Sequence, residues 1–396
     1  MSKLDELIKK YCPDGVEYKA LDEVIISLNT GLNPRKFFKL NTNDAKNYYI
    51  TIREIHNNKI QITDSTDKIN DDALRLCNNR SNLDKGDILF SGTGTIGEIA
   101  LIEDKPDNWN IKEGVYAIKP IQKMIISKYL MYILQTDTIR TAYMKKVAGG
   151  TVKSIPMKDL KKITIPVPPL PVQEEIVRIL DSFTSLTVEL QAELQARKIQ
   201  FEQYSMLLFE QVKKKYNTCI LSDICSVAKG KTPIQKAIPG DYPMVVTTTE
   251  RRTSNSYQFD ACSVCIPLVS SRGHGVASLN HVYYQTGKFA LGNILCAVTP
   301  KCSDKVHAKY LYYYFEEAKD FTLVPLMKGG ANVALRIEDI EKLRIPVPEI
   351  EIQKKIVSRL EKFDKLCNKL LPAEIAARQK QYEYYRDKLL TFKELS

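Results

Sequence analysis

The chain has 396 residues, 44% of them hydrophobic, and carries a net charge of +11 with a pI near 9.0. That apolar content excludes a disordered polymer and provides for two domains of ordinary size, while the basic balance points to an anionic partner, nucleic acid above all. No run of about 18 apolar residues occurs, which excludes a helical membrane span; the charged start MSKLDELIKKY does not read as a signal peptide, and nine cysteines in no framework spacing suit a reducing, cytoplasmic setting.

In chain order, residues 1–15 predict a mini-helix. Residues 16–168 predict a mainly β domain with packed helices, of the α+β class. Its parts are KALDEVIISLNTG (19–31), a polar basic loop LNPRKFFK, a β run YYITI, a glycine-rich hairpin GDILFSGTGTIGEIAL (86–101), a strand VYAIKP, a helix ISKYLMYIL and a closing basic segment MKKVAGGTVK. A long helix follows over 169–215, its prolines tolerated in the first turn. Its large side chains fall at Ile176, Leu180, Phe183, Leu190, Leu194, Phe201, Tyr204 and Leu208, with Thr187 and Arg197 in the gaps. The steps alternate between four and three, which is a heptad seam.

Residues 216–348 repeat the first domain in a shorter form. CILSDICSVAKG (219–230), KTPIQKA, YPMVV, CIPLVSSRGHGVASLN (265–280), LCAVTP, HAKYLYYYF and LMKGGANVA take the same order. Residues 349–396 then give a second long helix with a seam at Ile356, Leu360, Phe363, Cys367, Leu370, Ile375, Arg378, Tyr382, Tyr385 and Leu389. One extra residue separates Leu370 from Ile375, and Pro372 sits in that gap, so this helix is expected to kink there while the first runs straight. Arg197 and Arg378 hold equivalent seam positions, where an arginine needs a partner.

The repetition is close in places. GGTVKSIPMKDLKKITIPVP (149–168) returns as GGANVALRIEDIEKLRIPVP (329–348), an offset of 180 that also relates Gln173 to Gln353. SKLDELIKKY (2–11) aligns with LLFEQVKKKY (207–216), which pairs Leu4 with Phe209, Leu7 with Val212 and Tyr11 with Tyr216. Two like halves imply a pseudo-dyad, with the long helices antiparallel, the globular halves at opposite ends and the mini-helix beside the end of the second long helix. Duplex DNA is the commonest partner with a dyad of its own.

Several motifs suggest other chemistry and fail on context. Gly92, Gly94 and Gly97 form a GxGxxG, but a strand rather than a helix follows, so the dinucleotide site is not supported. Gly230-Lys231-Thr232 resembles the end of a P-loop, but Cys225 stands where its first glycine belongs. Cys262 and Cys265 form a lone CxxC, with His274 and His281 nearby; the segment reads as a buried strand, so no metal is expected. No aminomethyltransferase, Walker or nuclease motif is present, nor any catalytic constellation.

The two IPVP exits, each leading into a Q-x-x-I-V-x-x-L phrase (Gln173, Ile176, Val177, Leu180; Gln353, Ile356, Val357, Leu360), together with CPDGVEYKALDEV near the start, carry a resemblance. Over essentially its whole length the chain resembles the specificity subunit of type I restriction-modification systems. That resemblance implies two target recognition domains, each reading half of a split DNA site, and a helix pair acting as a ruler between them. It implies no catalysis and no cofactor in this chain. Two methyltransferase subunits using S-adenosylmethionine, and motor-nuclease subunits using ATP and magnesium, would be its partners. The candidate DNA-contacting residues of the first half are Thr30, Asn33, Arg35, Lys36, Arg53, Ser91, Thr93, Thr95, Lys145, Lys146, Thr151 and Lys153. Those of the second are Lys231, Thr232, Lys236, Thr249, Arg251, Arg252, Ser270, Ser271, Arg272, His274, Lys328 and Asn332. Arg251, Arg252 and Arg272 are the candidates for bidentate guanine contacts, and the lysines for phosphates. The methyltransferase is expected on the helix faces opposite the seam or at the IPVP segments and helix starts. A stand-alone two-headed DNA-binding protein and a nucleotide-using enzyme are the rival readings.

Overall fold

The computed structural model describes residues 2–248, 250, 252–272 and 275–395. The chain divides into two units, Met1–Glu189 with Ile375–Ser396, and Leu190–Glu374.

In the first unit, near-continuous apolar strands make a sheet covered on both faces. Its antiparallel order is Ile25–Thr30, Val115–Pro120, Ile88–Ser91, Ile99–Leu101. Ile88, Phe90, Tyr116 and Ile118 pack with the helix Ser127–Leu134. Leu89, Val115 and Ala117 pack the other way, onto Ile50 and Ile111. These last two belong to a second sheet, ordered Lys68–Ile69, Asn47–Ile50, Trp109–Ile111, whose last pair is parallel.

The second unit repeats the plan. Its main sheet runs Cys225–Lys229, Leu295–Pro300, Ser263–Pro267, Tyr283–Gln285. Val264, Ile266, Cys296 and Val298 face the helix Ala308–Thr322, and Cys265, Leu295 and Ala297 face Val245, Phe289 and Leu291 of a second sheet. The single helix Ala308–Thr322 stands where the first unit has two, Ser127–Leu134 and Asp137–Met144.

The glutamine of each Q-x-x-I-V-x-x-L phrase is fully buried. Gln173 Nε2 donates to the carbonyls of Met124 (2.9 Å) and Pro168 (2.7 Å), and its Oε1 accepts from the Ile126 amide at 2.9 Å. Gln353 repeats this with Lys305 (2.9 Å), Pro348 (2.7 Å) and His307 (2.9 Å). Each glutamine thus fastens the IPVP exit, the loop before the domain helix and the start of the long helix at one point. Lys128–Asp181 (2.6 Å) and Lys309–Glu361 (2.5 Å) add a matching ion pair from domain helix to long helix.

The first long helix is Leu170–Lys215. Between residues 187 and 201 only Thr187, Leu190, Leu194, Arg197 and Phe201 are less than exposed, so the four-three seam is real. The second comprises Ile350–Lys365 and Leu371–Leu389, joined by a π turn at Leu366–Leu370. The Leu371 amide donates to the Leu366 carbonyl, a five-residue step that takes up the extra residue ahead of Pro372. One expectation is corrected here: Leu370 does not hold the seam but is 52% exposed, because the wide turn brings half-buried Leu371 to that place. Within the second unit the helices run antiparallel, with Phe201 and Tyr204 on Phe363 and, further back, Lys198 beside Cys367. The first unit agrees, with Phe183 stacked on Tyr385 and Leu170 near Leu395. Both seam arginines have partners: Arg197 binds Glu193 and Gln200, and Arg378 binds Gln381, each at 2.8 Å.

The helix Lys3–Tyr11 begins with a capping box on Ser2 and buries Leu4. Lys3 Nζ lies 2.9 Å from Glu175, which Arg178 also grips at 2.6 Å. These cations, Arg178 foremost, hold the Glu175 carboxyl down at about 2. The repeat explains why the pair exists once. Phe209 fills the place of Leu4, but residues 207–215 belong to the continuous long helix and need no clamp; there Leu208 replaces Lys3 and Lys355 replaces Glu175. The first unit is closed by the chain's other end: Val16 donates to Lys393 O and Leu395 to Val16 O, both at 2.9 Å.

Candidate nucleic-acid interface

In each unit three loops meet at the end of the main sheet. In the first, the Gly149-Gly150 loop folds back so that Ala148 and Ser154 bridge. It then locks onto the glycine-rich hairpin, with the Gly94 amide on Lys153 O and the Ile155 amide on Gly92 O, both 2.9 Å. Thr93 packs on Gly114. Glu113 accepts from Asn33 Nδ2 at 2.8 Å, which joins the turn 112–114 to the basic loop Pro34–Phe37. The second unit repeats the joint: Lys328 bridges Ala334, Val269 bridges Ala334, the Ser270 amide binds Val333 O at 3.0 Å, and Thr232 bridges Gly292.

The glycines serve this joint rather than a phosphate. A Cβ on Gly92 would lie 2.1 Å from the Tyr116 ring, and one on Gly97, at φ +93°, would lie 2.3 Å from Tyr143 Oη. Gly31 and Gly230 occupy one place in the two units, where a Cβ would sit 1.8 Å from Ile111 O and 2.1 Å from Gly292 O. The hairpin continues into the strand Ile99–Leu101, as the sequence requires. In the lone CxxC, Cys262 is exposed and Cys265 fully buried, its thiol pushed far up by burial between the sheets, so the pair does not suit a metal. Among the described residues no group of three or more His, Cys, Asp or Glu is placed to hold a metal ion.

The described candidates fall into three sets. Arg35, Lys36, Lys145, Lys146, Thr151 and Lys153 are exposed, and among the described residues none of these cations is in an ion pair. Lys231, Lys236, Arg252, Arg272, Lys328 and Asn332 are likewise exposed, and the same holds of their cations; Thr232 is half-buried. Thr93 and Thr95 sit on the hairpin turn, half-buried and exposed. A second set is engaged internally. Asn33 caps Arg35 N as well as binding Glu113, Arg53 is paired with Asp67 at 2.6 Å, and Ser270 and Ser271 tie their hairpin to Ser278. Two of the first-half residues prove to be interior. Thr30, 8% exposed, binds Val115 O and Gly114 N, and Ser91, 0% exposed, binds Thr95 O and Glu98 N. Their hydroxyls close turns beneath the surface and cannot reach a partner. Thr249, Arg251 and His274 lie outside the described residues.

Exposed Lys112 and Asn293, in the turns linking the three loops, join the candidates though the sequence did not single them out. The signal was available, since both lie in the short turns just ahead of the repeated VYAIKP and LCAVTP strands, Lys112 three residues and Asn293 two residues before the first strand residue. The IPVP segments are turned inward, with Ile165, Pro166 and Pro168 buried and Ile345, Pro346 and Pro348 likewise.

The family model for the type I restriction modification DNA specificity domain matches twice, over residues 13–197 and 213–377. The chain belongs to that family. It is similar to the Escherichia coli EcoR124I/EcoR124II specificity subunit, at 34% identity over 59% of this chain and 63% of that one, and so spans less than two thirds of that relative. It is also similar to a putative type I specificity subunit of Mycoplasma pneumoniae, at 33% identity over 57% of this chain and 92% of the relative. Among solved structures, a chain from work on complex assembly and conformational transition of the type I R-M system matches 96% of this chain and 98% of its own, with a TM-score of 0.61 and 18% identity. The S subunit from M. genitalium matches 95% and 96%, with a TM-score of 0.52 and 15% identity. The chain therefore carries two type I restriction modification DNA specificity domains of mixed α/β build, each joined to a stretch of antiparallel helix pair. Among the described residues no helix is long and apolar enough to cross a membrane.

Proposed function

We propose that this chain reads a split duplex DNA site, one half-site per unit, as the cytoplasmic and non-catalytic reader of a restriction-modification complex. Two methyltransferase subunits bring S-adenosylmethionine, motor-nuclease subunits bring ATP and magnesium, and this chain holds no cofactor itself. One observation carries the reading: both units build the same three-loop joint, and among the described residues both leave its cations without carboxylate partners. Cations left unpaired on a rigid surface suit phosphates, while guanidinium groups and loop side chains read base edges. Arg252 and Arg272 are the guanine readers in the second half. The long helices set the gap between half-sites.

The test is selection of duplexes from a random library by the full chain, followed by titration at several salt concentrations. The expected result is a two-part consensus with a fixed gap, and an affinity falling steeply with salt. A single uninterrupted consensus, or none, overturns the proposal. Co-purification of a methyltransferase separates it from a stand-alone two-headed DNA-binding protein.

A further inference from the structure

The basic loop of each unit, Pro34–Phe37 and its counterpart at Ile234–Lys236, is pinned at both ends. In the first unit Tyr49 Oη donates to Leu32 O at 2.5 Å, the Phe38 amide binds Pro34 O at 3.0 Å, and the Phe38 ring stands edge-on to Tyr49 at 5.6 Å. In the second the Lys231 amide binds Gln258 Oε1 at 2.9 Å, the Asn255 amide binds Ile238 O at 2.9 Å, and Ile234 and Ala237 pack on Met244, Val246 and Ala290. Near its end each loop therefore has an inward-turned residue, Phe38 or Ala237, with an exposed residue on either side.

Those flanking residues form one pattern in mirrored order. In the first loop Phe37 precedes the inward residue and Lys39 follows it; in the second Lys236 precedes and Ile238 follows. Phe37 is 54% exposed and Ile238 64% exposed. A single exposed apolar side chain is unremarkable in itself. Here, however, each stands on a loop pinned at both ends, near a lysine that is in no ion pair among the described residues, at the same joint in both units. Water gains nothing from that arrangement, whereas a DNA groove offers phosphate for the cation and the apolar edge of a base for the neighbour.

We infer that Phe37 and Ile238 are base-reading residues, each meeting the C5 methyl of a thymine in its own half-site. The mirrored order would place the methyl contact on opposite sides of the phosphate contact in the two halves. This rests on the DNA-reading proposal above.

Duplexes selected by the full chain are remade with uracil in place of each thymine in turn, which removes only the methyl group. The wild-type chain is expected to lose about tenfold in affinity at one position per half-site. Phe37→Ala should erase that loss in the first half-site alone and Ile238→Ala in the second alone, with Phe37→Leu retaining part of it. Unchanged melting temperatures and salt slopes for these variants keep the effect separate from unfolding and from phosphate binding. If each variant responds to every uracil as the wild type does, or if the wild type is indifferent to all of them, the thymine assignment is wrong although DNA reading stands. If the wild type selects no duplex, the underlying proposal has failed instead.

Discussion

Replacing Gln173 by alanine removes three hydrogen bonds from the interior of the first unit and strands the Met124 and Pro168 carbonyls and the Ile126 amide. At roughly 1 kcal/mol for each net bond, the expected loss is about 3 kcal/mol. Gln353→Ala should match it in the second unit, since the partners correspond one to one. Denaturant unfolding of both variants checks this, and a loss under about 1 kcal/mol in either would contradict the clamp. Glu175 makes a prediction in pH. Its pKa is about 2 when folded against an ordinary 4.5, so its contribution is complete above pH 4.5 and is lost as pH falls through about 2. The difference in hydrogen-exchange protection of residues 3–11 between wild type and Glu175→Gln should therefore hold steady from pH 7 to about 4.5 and narrow below. A difference that grows on acidification would rule the pair out as the clamp. The glutamines were legible in the sequence as a repeated phrase, but not as a clamp, because their partners lie on another segment of the chain. Thr30 and Ser91 misled for the opposite reason: a hydroxyl beside glycines suits a DNA-facing loop and a satisfied interior turn equally.

The long helices were the most legible elements, because a four-three seam is a local pattern that does not depend on tertiary context. The extra residue near Pro372 was legible too. What the sequence could not tell was which residue would leave the seam, since a proline-induced break and a π turn upstream of it absorb the same insertion. Deleting Lys369 while changing Pro372 to alanine should leave an unbroken α-helix with regular seam steps, and a melting temperature within a few degrees of wild type. Deleting Lys369 alone leaves a proline inside a regular helix and should cost about 3 kcal/mol. If both variants are equally destabilised, the turn is not an accommodation of one spare residue. The two-layer domains were legible only as α+β. The pairing of Asn47–Ile50 with Trp109–Ile111, about 60 residues away, has no local signature.

At the scale of the whole molecule the duplication is what the sequence displayed best, and the proposed division of labour follows from it. Adding the same few residues to both long helices should change the spacing between half-sites and leave the bases of each half unchanged; mapped methylated adenines would report it, and altered half-site bases would contradict it. Residues 190–374 are contiguous, so that unit can complete itself as it leaves the ribosome. The other needs Tyr382 and Leu390 in its core and the bridge from Val16 to Glu394 before it is whole. The half made first is thus the half finished last, and its nascent surface must wait through the synthesis of its twin.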